Sequence, residues 1–207
     1  MPTEGDARDR LLDRVIAFAA VDGISGRSLR EIARGAGTSH RMLLYHFGSR
    51  EGLLAAIVAA IEARQRSLMA AMAHRASTQR EVMTELWAQV SSPAMRPFIT
   101  LFFEVFGLVA QGTPGTEGLR EGLTQPWLRD AAAAAEGLGL PAEPADLRLG
   151  IAVTRGLLLE LVAGAEPAEI DAAYRLFVDR SAGPEAPTTR PGAERPAEPV
   201  EDHLGPP

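Results

Sequence analysis

Cysteine is absent from the sequence, which excludes disulfide bonds, thiolate metal sites and cysteine-based redox sensing. Lysine is absent too, and all 21 basic residues are arginine. No uninterrupted apolar run reaches the roughly 18 residues that a membrane-spanning helix needs. Residues 1–10 are charged and lead into no apolar stretch of a secretory signal. These absences predict a cytoplasmic protein without a membrane segment.

Common enzyme motifs are missing as well. The sequence holds no nucleophile elbow, no phosphate-cradling glycine loop, no HExxH motif and no spaced carboxylate pair. The histidines do not have the spacing of metal ligands. We therefore expect a protein that is not an enzyme and has no metal site or cofactor.

The charges are distributed unevenly. Residues 23–50 hold five arginines and one acid, Glu31, so their formal charge is +5 − 1 = +4, and His40 and His46 lie among them. The rest of the chain carries 16 arginines against 26 acids, or −10, and the whole chain has a net charge of −6. A basic island on an acidic protein favours a small surface that meets a polyanion, although a solvated basic face has the same composition.

Apolar residues recur at helical spacing through the first 50 residues, and breaks and caps divide them into three helices. The first spans about residues 8–21. Ser28-Leu29-Arg30-Glu31 is a capping-box pattern that begins the second helix, and Gly37 ends it. Ser39 caps a third helix, residues 40–47. Two short helices joined by a tight turn have the geometry of a helix-turn-helix.

Helical patterns continue to about residue 181, and no run of alternating β-branched residues predicts a strand. Residues 98–110 are apolar on nearly every face, so we expect this helix at the centre of a second domain. Pro126 is expected to kink or split a helix that resumes near Thr116. The proline-rich residues 182–207 predict a disordered tail. The predicted organisation is all-α, with domains at residues 1–50 and 51–181.

Residues 11–54 carry a recognisable pattern. It reads Ser28-Leu29-Arg30-Glu31-Ile32-Ala33-Arg34-Gly35-Ala36-Gly37-Thr38-Ser39, then Leu43-Leu44-Tyr45-His46-Phe47-Gly48-Ser49-Arg50-Glu51-Gly52-Leu53. The pattern resembles the N-terminal reader of the tetracycline-repressor (TetR) family of bacterial transcriptional regulators. Two positions depart from the family: Leu44 stands where a tyrosine is usual, and Arg50 stands where a lysine is usual. The resemblance implies an N-terminal helix-turn-helix domain and a C-terminal helical domain for ligand binding and dimerisation.

A recognition helix needs polar side chains on its first turn, where they reach base edges in the major groove. His40, Arg41 and Met42 occupy that turn. Arg41 suits a bidentate contact with guanine O6 and N7, and Met42 suits a thymine methyl group. A merely solvated first turn is the alternative.

Other residues are predicted at the DNA backbone. Tyr45 and His46 lie later on the same helix, and His46 could instead be a core-edge residue. The resemblance implies phosphate binding for Arg50 and a DNA contact for Arg30. The full predicted DNA-binding set is Arg30, Ser39, His40, Arg41, Met42, Tyr45, His46 and Arg50.

Aromatic and sulfur-containing side chains cluster in the second domain and suit an apolar pocket for a small hydrophobic ligand. Plain core packing is the alternative for each of them. Glu104 and Arg155 are charged residues that interrupt the apolar helices. They are candidate polar anchors for a ligand; alternatively, they pair with each other or face water. The predicted ligand-binding set is Met83, Trp87, Phe98, Phe102, Phe103, Phe106, Trp127, Glu104 and Arg155.

The last two helices carry more apolar surface than a small bundle is expected to hide. The residues concerned are Leu147, Ile151, Leu158, Leu161, Val162, Ile170, Tyr174, Phe177 and Val178. The resemblance implies that two such helices from each subunit form a four-helix interface. A homodimer of this kind predicts a palindromic operator in double-stranded DNA.

The leading hypothesis from the sequence is a transcriptional repressor that a small hydrophobic effector releases from DNA. Two alternatives stay open. One is a constitutive DNA-binding protein without an inducer. The other is an interaction module in which the basic island is incidental.

Overall fold

The computed structural model describes residues 4–182, and these residues form helices without a strand. The α-helices are α1 Glu4–Asp22, α2 Leu29–Gly35, α3 His40–Phe47, α4 Arg50–Arg75, α5 Gln79–Val90, α6 Arg96–Ala110, α7 Leu119–Gly122, α8 Gln125–Gly137, α9 Pro144–Val162 and α10 Pro167–Ser181, and a 3₁₀ turn, Pro93–Met95, precedes α6. The all-α fold class is confirmed. The predicted disordered tail lies outside the described residues apart from Ala182.

Local capping signals define the short helices of the N-terminal region. Ser28 and Glu31 form the predicted capping box at the start of α2, and their hydrogen bonds lower the pKa of the Glu31 carboxyl group. The Ser39 hydroxyl accepts a 3.2 Å hydrogen bond from the backbone N–H of Met42 and so begins α3. Gly37, at φ 62°, allows the turn between the two helices.

The core of the helix-turn-helix is continuous with the core of the second part of the chain. Val15, Ile32 and Leu43 are fully buried among α1, α2 and α3, and they belong to one apolar cluster with Leu53 of α4 and Val105 of α6. Helix α6 packs against α1, α4 and α9. The helix-turn-helix is therefore joined to the later helices by packed apolar contacts.

Helix α6 packs against α1, α4 and α9, but it is not surrounded by protein as its composition predicts. The segment Pro93–Ala110 has a mean hydropathy of 1.4 and is long and apolar enough to cross a membrane. Within this fold, Leu101 and Val105 are almost fully buried, whereas Phe106 is 43% exposed. The protein thus covers one side of α6 and leaves part of the other in contact with solvent.

A smaller core joins α5, α9 and α10, and it corrects one sequence expectation. Leu161, Ile170, Tyr174 and Val178 were expected at a subunit interface, but each is buried within the single chain. The cause is α5: Trp87 stacks on Tyr174 with ring centroids 4.2 Å apart and an interplanar angle of 11°. A subunit interface on these helices must use other residues.

The junction of α3 and α4 is packed so closely that one glycine is sterically required. A Cβ atom added to Gly52 would lie 2.3 Å from the backbone carbonyl oxygen of Phe47, whereas one added to Gly107 of α6 would meet nothing within 4 Å. We expect Gly52→Ala to lower the free energy of unfolding by about 1–3 kcal/mol through overpacking. Gly107→Ala is expected to raise it by about 0.5–1 kcal/mol, because alanine favours the helix. Urea unfolding of both variants measures the difference, and an equal or greater stability of Gly52→Ala would contradict this packing.

Candidate functional site

Helix α3 presents a polar face to solvent. Arg41 is exposed, Tyr45 is 66% exposed and Met42 is 42% exposed, while His40 is half-buried. Leu43 and Phe47 seat the helix from behind. Arg41 and Tyr45 are four residues apart and therefore share one face of the helix. No acidic residue lies in the first turn.

The remaining predicted DNA-contacting residues surround this face. Arg30 is exposed on α2, and Ser39 is exposed at the start of α3, where its oxygen serves as the helix cap. His46 is half-buried and makes an edge contact with the Tyr45 ring at a centroid distance of 4.9 Å.

Two arginines of α1 extend the basic surface, and the sequence reasoning missed them. Arg10 and Arg14 are exposed and line a cleft of about 280 Å³ together with Met42 and His46 of α3. Their spacing of four residues places both on the face of α1 that lies beside α3. This i, i+4 pair of arginines was the available signal, but the position of α1 relative to α3 was not readable from the pattern.

Arg50 does not have the exposed position that phosphate binding, implied by the family resemblance, would require. Its Nε donates a 2.7 Å hydrogen bond to the backbone carbonyl of Arg27, and its guanidinium also donates a 2.9 Å hydrogen bond to Glu104 Oε1 on α6. The side chains of Arg50 and Glu104 are 24% and 26% exposed. Arg50 is thus committed to an internal ion pair, and the structure does not place it as a free cation for phosphate.

A loop makes a second connection at the same place. Gly115, between α6 and α7, has φ 90°, and a Cβ atom added to it would lie 3.0 Å from Ser49 Oγ and 3.2 Å from the backbone nitrogen of Gly52. The loop therefore packs directly on the first turn of α4. Two contacts from later in the chain, this loop and Glu104, hold the end of α4 that follows α3.

Helices α4, α5, α6, α8, α9 and α10 line a cavity of about 930 Å³. Six of the predicted ligand-binding residues line it: Met83, Phe98, Phe102, Phe103, Trp127 and Arg155. Most of the remaining wall is aliphatic. An apolar wall with a few polar groups is typical of small-molecule sites.

Three predicted ligand-binding residues lie elsewhere. Trp87 is buried in the smaller core, where its indole N–H donates a 2.8 Å hydrogen bond to Asp171 Oδ1. Phe106 is partly exposed on the outer side of α6. Glu104 pairs with Arg50, so it neither lines the cavity nor pairs with Arg155. These three positions are corrections to the sequence prediction.

The charged centre of the cavity wall is a pair of groups from α4 and α9. Glu62 Oε2 accepts a hydrogen bond from the indole N–H of Trp127 and lies 3.7 Å from a guanidinium nitrogen of Arg155. Burial raises the pKa of the Glu62 carboxyl group, and the bond from Trp127 and the charge of Arg155 act in the opposite direction. Arg155 also donates to Thr124 Oγ1 at 3.0 Å and to the carbonyl of Leu123.

Glu62 and Gln65 line the cavity from α4 and were missed in the sequence. Both stand within the apolar stripe that contains Val58, Ile61 and Met69. The signal that could have identified them is a polar residue at a position where helical periodicity requires a core residue.

Comparison with known proteins gives an independent view of the N-terminal region. The family model for bacterial regulatory proteins of the tetR family matches residues 11–57. A search of curated proteins finds no match.

Solved structures resemble most of the chain. A candidate TetR-family transcriptional regulator from Rhodococcus sp. is 23% identical with a TM-score of 0.62, over 85% of this chain and 98% of its own. The multidrug binding protein EbrR, solved with imidazole, is 20% identical with a TM-score of 0.57, over 88% and 93%. SmeT, the repressor of the Stenotrophomonas maltophilia efflux pump SmeDEF, is 20% identical with a TM-score of 0.51, over 84% and 87%. Residues 11–57 thus match the family model for bacterial regulatory proteins of the tetR family, and the chain shares its fold with solved structures of TetR-family regulators.

Proposed function

We propose that this protein is a ligand-responsive transcriptional repressor that acts in the cytoplasm as a homodimer on a palindromic operator, and not an enzyme. The observation that carries the proposal is the exposed, acid-free first turn of α3, which Arg10, Arg14 and Arg41 flank with positive charge. The predicted domain boundary at residue 50 agrees with DNA binding before it and ligand binding after it, since the cavity lies wholly in the later helices. The proposed DNA contacts are Arg10, Arg14, Arg30, Ser39, His40, Arg41, Met42, Tyr45 and His46.

Apolar surface on α9 and α10 supports dimerisation. Leu149 and Leu159 of α9 are 56% and 48% exposed, and exposed Ala152 and Gly156 lie between them at spacings of three and four residues. Leu176 of α10 is 50% exposed. This stripe of small and apolar residues suits close helix–helix packing across a two-fold axis. A second copy of the chain would place two recognition helices about one duplex turn apart, or somewhat more.

The ligand response is proposed to pass through α6. Phe102 and Phe103 face the cavity, and their neighbour Glu104 holds Arg50 at the start of α4. A ligand that shifts α6 would thereby move α4 and the recognition helix that precedes it. By population shift, the ligand would favour a spacing of the two α3 helices that no longer fits successive major grooves. The names of EbrR and SmeT, a multidrug binding protein and an efflux-pump repressor, agree with a small-molecule effector.

The proposed role of Arg50 differs measurably from phosphate binding. Because Glu104 already neutralises Arg50, Arg50→Gln is expected to leave the salt dependence of DNA binding unchanged and to lower the unfolding temperature. Arg10→Gln is the matched comparison, since it removes an exposed charge beside α3. It is expected to lower the slope of log affinity against log salt by about 0.9. The opposite pattern, with the slope lowered only in Arg50→Gln, would restore Arg50 as the phosphate contact.

A gel-shift assay with the DNA upstream of the protein's own gene tests the proposed function. We expect a retarded complex at low salt that excess unlabelled upstream DNA removes and that unrelated DNA does not. Failure to retard any genomic fragment at low salt would overturn the proposal. A complex that no small molecule dissociates in a broad screen would favour the constitutive alternative.

A further inference from the structure

The wall of the cavity contains a buried hydrogen-bond acceptor without a donor. Gln65 of α4 is 7% exposed, and its side-chain Oε1 has no hydrogen-bond partner among the described residues. The amide nitrogen of the same side chain donates to the sulfur of Met95 at 3.5 Å, so the amide orientation is accounted for. Leaving a buried acceptor unsatisfied destabilises a fold, and folded proteins rarely tolerate it without a reason.

A second acceptor lies one helical turn away. Glu62 precedes Gln65 by three residues and therefore lies on the same face of α4. One carboxylate oxygen of Glu62 accepts the bond from Trp127, and residues 4–182 supply no hydrogen bond to the other. The distance of 3.7 Å to Arg155 is too long for a hydrogen bond. The side of the cavity formed by α4 thus has two side-chain oxygens, one of Gln65 and one of Glu62, that can accept hydrogen bonds from a ligand.

Arg155, the cation beside Glu62 in the cavity wall, already has hydrogen-bond partners. Arg155 donates to Thr124 and Leu123, and its guanidinium lies 5.1 Å from the centroid of the Phe102 ring. The charged residues that line the cavity are Glu62, Glu143, Asp146, Arg155 and Arg180, three acids against two bases. Around Glu62 and Gln65 the wall therefore offers an anionic head group no uncommitted cation, since the other lining arginine, Arg180, is exposed on α10, and the lining residues carry a slight excess of negative charge.

We propose that the cavity binds an apolar molecule of aromatic size whose head group donates hydrogen bonds, an amine or a hydroxyl, to Glu62 and Gln65 of α4. The body of the ligand lies against Phe98, Phe102 and Phe103, and a carboxylate head group is rejected. This inference rests on the proposed ligand response, since it names the chemistry of the same cavity. It predicts a polar contact on α4, the helix that follows the recognition helix.

Four naphthalene probes that differ only in the head group test the proposal by isothermal titration calorimetry at pH 7. They are 1-naphthylmethylamine, 1-naphthalenemethanol, 1-naphthoic acid and 1-methylnaphthalene. We expect the amine and the alcohol to bind at least tenfold more tightly than the hydrocarbon, and the acid to bind most weakly. The ratio of amine to alcohol distinguishes a charged donor from a neutral one. An acid that binds as tightly as either donor, or the absence of binding by both donors, would overturn the proposal.

Variants of the intact chain separate recognition from structural support. Gln65→Met and Glu62→Gln are each expected to weaken amine binding about tenfold and to leave 1-methylnaphthalene binding nearly unchanged. Gln65→Met should also raise the unfolding temperature, because it removes the unsatisfied acceptor; a purely structural glutamine would give a lower temperature. Glu85→Gln, an exposed change outside the cavity, is the control. Wild-type affinity for the amine in both cavity variants would contradict the proposal, and unchanged gel shifts in the same variants would show that DNA binding stands independently of it.

Discussion

Arg41→Ala is expected to weaken operator binding by about 5- to 150-fold and to relax the choice of sequence, since a bidentate contact to guanine is worth roughly 1–3 kcal/mol. The physical reason is position: Arg41 is exposed on the first turn of α3, and buried Leu43 and Phe47 fix the helix behind it. Affinity for the operator and for single-base variants, measured at fixed salt by fluorescence anisotropy, gives both effects. The largest loss of discrimination should fall on one G·C pair in each half-site.

Arg75→Ala is the matched control for this prediction. It removes the same charge from the last turn of α4, about 37 Å along the helix from Arg50. Its affinity for the operator should remain within about twofold of wild type, because screening at physiological salt acts over roughly 8 Å. If Arg41→Ala bound all sequence variants with wild-type ratios, Arg41 would be no base-reading residue.

Leu159→Glu is expected to dissociate the dimer and to lower operator affinity by on the order of 100-fold, because paired binding modules gain about 10²- to 10⁴-fold over single ones. Leu159 is 48% exposed at the C-terminal end of the α9 stripe, so a charge there would be buried in the proposed two-fold interface. Analytical ultracentrifugation gives the mass, and gel shift gives the affinity.

Leu68→Glu makes the same chemical change on α4, where the leucine is 41% exposed and lies outside the α9 and α10 stripe. It should remain dimeric and bind the operator normally. A dimeric Leu159→Glu variant with circular dichroism like that of wild type would place the subunit interface elsewhere.

The helix-turn-helix was readable in advance because its signals are local. The bounds of α3 follow from Ser39 and Gly48, each adjacent to the helix end that it defines. The start of α2 follows equally from the Ser28 and Glu31 capping box. Pro126 also behaved as expected, since it opens α8 and divides that region into two helices.

The contacts that depend on distant residues were not readable. Arg50 meets Glu104 across 54 positions of sequence, so no local pattern distinguishes an internal ion pair from a phosphate contact. Trp87 and Phe106 have the composition of pocket residues, but the packing of α10 and the outward face of α6 exclude them from the cavity. Leu161 and Tyr174 were expected at a subunit interface. They pack instead in one core with residues of α5, and no local sequence pattern shows that α5 lies against α9 and α10.

Methylation interference on the upstream DNA tests the central claim most directly, since methylation of guanine N7 blocks the major groove and methylation of adenine N3 blocks the minor groove. The account predicts interference by guanine N7 in two clusters related by two-fold symmetry, with centres about one helical turn or somewhat more apart. DNA binding by the Arg41→Ala variant should be insensitive to methylation of the guanine that Arg41 contacts in each cluster. Interference confined to adenine N3, or a single cluster without symmetry, would contradict a dimer that inserts α3 into successive major grooves.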